Sequence, residues 1–227
     1  MAVTLLPREP LAAQIVLFDG FDPMDVVAPF EVLSAGGDLA QGALSVRLVS
    51  AEGPRRVVSG TGGLTLEATA WLDPTLAGFV VLPGASGPLE GDPDVVDTIP
   101  VLLARIGSTG LPAQIQEALA AEQVTVATVC GGSLALAMAG LLEGRTAVTH
   151  PEGMAMLEAL GVRVVEARVV DDGDLVSSGG VTSGLDLALH LLERAFGPEV
   201  PLAVERLFAY ERRGIVWRTG GLAAVAV

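Results

Sequence analysis

The chain has 227 residues, 51% hydrophobic and 18% charged, so it can bury a full core and is not of disordered composition. Its formal net charge is −14 and it has no lysine, which repels phosphate backbones and rules out a lysine Schiff base; Arg55-Arg56 and Arg212-Arg213 are too short to make a basic patch, so no nucleic-acid partner is expected. No apolar run reaches the about 18 residues of a membrane span, the start lacks signal-peptide order, and a lone cysteine forms no internal disulfide, so no membrane contact and a reducing, cytoplasmic location are expected.

Residues 1–12 have mixed polarity and two prolines, and read as a loose arm. Residues 14–18 are a short apolar run ending on Asp19-Gly20, a buried strand and turn. Asp22-Pro23 has the form of a helix start, with Asp22 as N-cap and Pro23 at the first helical position. Pro29 is expected to kink that helix, and Ala35-Gly36-Gly37 to end it. Residues 44–50 alternate as a second strand, and 57–67, with glycines at its centre, suggests a hairpin. Residues 79–82 form a buried strand stopped by Pro83-Gly84. Helical spacing covers 93–106 and 111–121, and a β-rich run covers 124–129.

Beyond it lie a helix over 151–160, strands over 162–166 and 167–170, and a hairpin turn over 171–174. The helix over 183–196 has Leu185, Leu189, Leu192 and Phe196 on one face and Asp186, His190 and Arg194 on the other, with His190 paired to Asp186 one turn back. Gly197-Pro198 stops it, and a last helix covers 200–210. Strands alternating with helices give an α/β sandwich around a mainly parallel sheet. One domain is expected over 13–217, with flexible tails at 1–12 and 218–227. In such sheets ligands bind beyond the carboxyl ends of the strands, where the loops after residues 18, 82 and 129 converge.

Cys130 stands where the run 124–129 breaks into Gly131-Gly132 and an alanine-leucine helix, the cysteine form of a nucleophile elbow. A helix start offers unpaired N–H groups and the positive end of the dipole, both of which favour the thiolate. A thiolate needs an acid or base partner. Asp25, in the first turn after strand one, reaches the same sheet edge; Asp19, Asp22 and Glu31 are its rivals. The N–H groups near Gly84-Ala85 and at Gly131 are candidates to hold a developing negative charge. His150, Val181 and Thr182 are candidate substrate-pocket residues, Thr182 also serving as a natural N-cap for the long helix. There is no Gly-x-Gly-x-x-Gly after strand one and no phosphate loop, and one cysteine with two distant histidines does not make a metal site, so neither cofactor nor metal is expected.

Four ordered segments resemble the ThiJ/PfpI superfamily, which is class I glutamine amidotransferase-like: Val16-Leu-Phe-Asp-Gly20 with Asp25-Val-Val-Ala-Pro29-Phe-Glu, Val80-Val-Leu-Pro-Gly84, Ala127-Thr-Val-Cys130-Gly-Gly-Ser, and Gly179-Gly-Val-Thr182-Ser-Gly-Leu-Asp186. Asp25-Val-Val-Ala-Pro29-Phe-Glu and the last segment look most like the isonitrile hydratase branch. The resemblance implies a flavodoxin-like sandwich, a homodimer, Cys130 as nucleophile and Asp25 as its acid/base partner. The branch has threonine after the cysteine where this chain has Gly131, and the PfpI proteases have histidine there. The expected activity is a cofactor-free, cysteine-dependent hydration of a small electrophile, with an isonitrile first. Glyoxalase- or deglycase-like work on 2-oxoaldehydes is the alternative enzyme, and ligand binding or cysteine redox sensing the alternative without catalysis.

Overall fold

The computed structural model of the protein describes residues 10–92 and 95–220. In chain order the elements are β1 (Leu11–Val16), α1 (Pro23–Leu39), β2 (Leu44–Ser50), β3 (Arg55–Val58), β4 (Thr65–Ala68), β5 (Ala70–Trp71), β6 (Gly78–Leu82), α2 (Ile99–Ile106), α3 (Leu111–Ala120), β7 (Val124–Val129) and α4 (Gly132–Met138). There follow β8 (Thr146–Ala147), a 3₁₀ turn (Pro151–Gly153), α5 (Met154–Ala159), β9 (Arg163–Val164), β10 (Val169–Asp171), β11 (Leu175–Ser178), α6 (Ser183–Phe196), α7 (Glu199–Phe208) and β12 (Trp217–Arg218).

The main sheet runs β12-β10-β11-β7-β6-β1-β2-β5 and is parallel except at β10-β11. All five residues of β6 are buried, as are five of six in β1, so both faces of the centre are covered. Parallel strands covered on both sides read as continuous apolar runs rather than alternating ones. Helices α1, α6 and α7 pack on one another, and α2, α4 and α5 form a second group. Strand order reverses at β1: β2 lies on one side and β6 on the other. Such a reversal opens a crevice beyond the carboxyl ends of the strands. The loops after β1, β6, β7 and β11 all leave from that edge.

Asp22 caps α1, accepting the Met24 N–H at 2.8 Å, with Pro23 first in the helix. The helix does not end at Gly36-Gly37; it continues through Pro29 and both glycines to Leu39. Close packing explains them. A Cβ on Gly36 would fall 2.4 Å from Leu192 of α6, and one on Gly37 would fall 2.3 Å from the Leu44 carbonyl oxygen. Gln14, buried in β1, is satisfied by Asp73, donating to its carbonyl at 2.7 Å and accepting its N–H at 2.8 Å.

Three further expectations are revised. Leu11 and Ala12 lie in β1 and Arg218 in β12, so strand pairing reaches into both expected tails; 1–9 and 221–227 lie outside the described residues. The helix expected over 93–106 begins at Ile99, with 93–94 outside the described residues. The polar face of α6 is not a solvent face. Asp186 and His190 are buried, and His190 bonds to Asp171 at 2.8 Å instead of to Asp186. Asp186 is taken by the Arg168 guanidinium, the Tyr210 hydroxyl and the Arg213 N–H, because Tyr210 and Arg213, beyond the end of α7, reach back to that face.

Candidate active site

Cys130 joins β7 to α4 with φ +54°, a left-handed conformation that costs an L-residue about 1–2 kcal/mol. Its surroundings hold it there. The Cys130 N–H donates to the carbonyls of Ser178 and Gly179, each at 3.1 Å, and its carbonyl accepts the Thr149 hydroxyl at 2.7 Å. Strain held by neighbouring bonds is common where a side chain must be aimed at a reacting partner. The N–H groups of Gly131 and Val181 donate to the sulfur. The residue is 8% exposed, and it opens into a cavity of about 430 Å³.

Asp25 projects from the first turn of α1 and is 0% exposed. One oxygen, Oδ2, accepts the Gly84 N–H at 2.9 Å. The other, Oδ1, is buried with no partner of ordinary hydrogen-bond geometry among the described residues. The Cys130 thiol is a neighbouring polar group that pulls the carboxyl's pKa down. Burial acts more strongly in the opposite direction. Helped by the charge of Asp22 and opposed by the Gly84 N–H and the thiol, it lifts Asp25 to about 8. Burial, with the Asp25 charge next, pushes the Cys130 thiol up to about 12, against the Gly131 and Val181 N–H groups. The thiolate expected from the helix start is therefore not the resting form. α4 has only seven residues, and its terminal field is outweighed by lost hydration. The pair rests as thiol beside carboxylic acid, which can add S–H across an electrophile.

The remaining candidates separate clearly. Asp19 pairs with Arg55 at the surface and Glu31 is exposed, so neither reaches the thiol. Gly84 cannot hold a developing charge, since its N–H is committed to Asp25; it must also be small, because a Cβ would fall 2.6 Å from the Gly131 nitrogen. Ala85 lines the cavity. The bridge beside it pairs Asp22 with Gly84 and Ser86 with Gly20, leaving the Ala85 N–H outside that pairing. Gly131 also lines the cavity, with Leu103 Cδ1 3.1 Å from where its Cβ would stand.

His150 and Val181 are in the cavity wall. His150 accepts the Glu152 N–H at Nδ1 (3.3 Å), and its ring lies against Gly180. Thr182 is not in that wall and does not cap α6 with its side chain, because its backbone is already helical (φ −74°, ψ −9°). Its hydroxyl accepts from Arg168 at 2.9 Å, and the Arg168 carbonyl accepts the Gly179 N–H. Arg168, anchored on Asp186, thus grips the turn that delivers the Val181 N–H to the sulfur. This role was invisible in the sequence, since Arg168 and Asp186 are separated by a strand pair and carry no motif together. Leu103, Met138 and Met156, which also line the cavity, read as ordinary apolar helix positions. A second cavity of about 680 Å³ lies across His150, lined by Glu166, Arg168 and Ser183, and does not include Cys130. Among the described residues no group of His, Cys, Asp and Glu side chains is placed to hold a metal ion, and no helix is long and apolar enough to cross a membrane.

The DJ-1/PfpI family profile matches residues 111–194, which include the elbow and most of α6. The isonitrile hydratase of Pseudomonas putida is 31% identical over 204 residues, 88% of this chain and 79% of that protein. The HTH-type transcriptional regulator GbdR of Pseudomonas aeruginosa is 34% identical over 182 residues, 74% of this chain but only 48% of the regulator. Among solved structures, a ThiJ/PfpI family protein from Pseudomonas syringae superposes with a TM-score of 0.73 at 23% identity, over 89% of this chain and 76% of that one, a likeness of fold. With its flavodoxin-like sheet, its elbow and this degree of identity over most of both sequences, the chain belongs to the DJ-1/PfpI family.

Proposed function

We propose that the protein hydrates organic isonitriles to N-substituted formamides, using Cys130 as nucleophile and Asp25 as acid and base. The observation that carries this reading is the buried pairing of the Cys130 thiol with a carboxyl lifted to about 8, with Cys130 in the wall of an apolar cavity. An isonitrile carbon is attacked by a nucleophile and must also gain a proton. Asp25 gives its proton to that carbon while the sulfur bonds to it, and the thiol proton returns to the carboxylate; the product is a thioimidate with Asp25 again protonated. Water then adds to the thioimidate carbon, a proton goes to the nitrogen, and the C–S bond breaks, leaving the formamide and the free thiol. Covalent capture divides the hydration into two easier steps. The Ala85 N–H lies outside its bridge pairing and is suited to the oxygen of the adduct with water. The likeness to an isonitrile hydratase supports the same substrate class.

Cys130→Ala and Asp25→Ala are each expected to lower formamide production at least 100-fold, followed by NMR; full turnover in either variant would overturn the mechanism. Methylglyoxal consumption under the same conditions tests the glyoxalase-like alternative. A reading without catalysis is supported by the likeness to the transcriptional regulator GbdR, and expects an isonitrile to bind without formamide release. Redox sensing is disfavoured, because Cys130 is buried and its thiol is held protonated, whereas sensor cysteines are exposed and of low pKa. The proposal includes a homodimer in a reducing cytoplasm; light scattering checks the first.

A further inference from the structure

The cavity over Cys130 has an uneven chemistry. Leu103 fills the space beside Gly131 at its base, and Leu134 and Ile99 continue that apolar wall. At the mouth Leu89, Met138 and Met156 are 50%, 40% and 56% exposed, so apolar surface faces water where a ligand would enter. Half-exposed apolar side chains around a cavity mark a binding surface, and methionine adapts its shape to what it meets. The charged groups of the lining are both acidic, Asp22 and Glu152, and no arginine is among the lining residues described. His150 also lines the cavity and accepts the Glu152 N–H at Nδ1. Asp22 uses Oδ1 to cap α1, and its charge is felt at both Asp25 and Cys130, which sets it within electrostatic reach of the reacting atoms. The net charge of −14 gives the surrounding field the same sign.

We propose that Asp22 and Glu152 make this cavity a charge filter, so that it admits uncharged electrophiles with an apolar substituent and turns away those bearing a carboxylate or phosphate. The proposal rests on Cys130 being the reacting thiol of the preceding section and names the substrate class of that site. An apolar chain of about six carbons gains from the leucine and methionine wall, while an anion at its far end meets two carboxylates and no arginine among the described lining residues.

The test needs no isonitrile chemistry. Alkylation of Cys130 in the full-length protein is followed by intact mass with N-hexylmaleimide, N-methylmaleimide and 6-maleimidohexanoate, each rate being divided by that on 2-mercaptoethanol. The hexyl reagent is expected to exceed both others, the carboxylate reagent by about tenfold at low salt. Asp22→Asn and Glu152→Gln are expected to shrink the hexyl-to-carboxylate ratio about threefold each, and salt to shrink it in the wild type. The ratio cancels any change in thiol reactivity caused by the Asp22 substitution. Equal normalised rates, or a ratio unmoved by both variants, would overturn the filter, and so would a Cys130 that takes none of the reagents. n-Hexyl isonitrile compared with 6-isocyanohexanoate then separates the two claims: no formamide from either, with the maleimide preference intact, contradicts the hydratase and leaves the filter standing.

Discussion

Burial decides the chemistry of the two reacting residues. Two N–H groups point at the Cys130 sulfur, yet desolvation and the Asp25 charge prevail, so the proton stays on the thiol. Folding also lifts Asp25 from 3.8 to about 8, so the native state holds a proton that the unfolded chain releases between those values. The stability linked to that proton is complete below about pH 4 and is lost as the pH rises through about 8. Asp25→Asn, neutral at every pH, is expected to match the wild type near pH 4 and to be more stable at pH 9, by on the order of 6 kcal/mol, in urea denaturation. Identical pH dependence in the two proteins would mean that Asp25 ionises as readily folded as unfolded.

At the scale of elements, the site depends on how closely helices approach their neighbours. Gly37 lets α1 lie against the Leu44 carbonyl, which helps fix the helix whose first turn carries Asp25. Alanine in a helix interior is ordinarily better than glycine by about 1 kcal/mol. Here the new Cβ meets backbone that has no rotamer to change, so Gly37→Ala is expected to destabilise by about 2 kcal/mol or more in thermal or urea unfolding. A stabilised variant would show that α1 can shift away. The turn before α6 is the second such element. Thr182→Val removes the Arg168 bond that grips it and leaves the helix intact. Its Val181 N–H should then support the sulfur less well, slowing iodoacetamide labelling of Cys130 about threefold at pH 8, with a stability change under about 1 kcal/mol. Labelling at the wild-type rate would separate Thr182 from the thiol.

At the scale of the whole molecule, the features legible in the sequence were those written locally. Alternation marked β2 and a β-rich run marked β7 at their observed bounds, and helical periodicity did the same for α6. The elbow at Cys130 and the Asp22-Pro23 start were visible for the same reason, and they locate the thiol and Asp25. What was not legible depends on contacts distant in sequence. The Tyr210 hydroxyl and the Arg213 backbone N–H close over the Arg168–Asp186 ion pair on the polar face of α6. Arg168 takes the Thr182 hydroxyl from its expected cap, and Asp25 takes the Gly84 N–H from its expected place at the substrate. The sign of the Cys130 shift depends on how much water the folded sheet edge excludes, which no local pattern records. The measurement that tests the account most directly is therefore the pH profile of kcat/KM for formamide production from n-hexyl isonitrile. The expected result is a rate that is flat on the acid side and falls as the pH rises through about 8, as Asp25 loses its proton. A rate that climbs over that range, as a thiolate nucleophile without an acid would give, or no formamide at any pH, would contradict it.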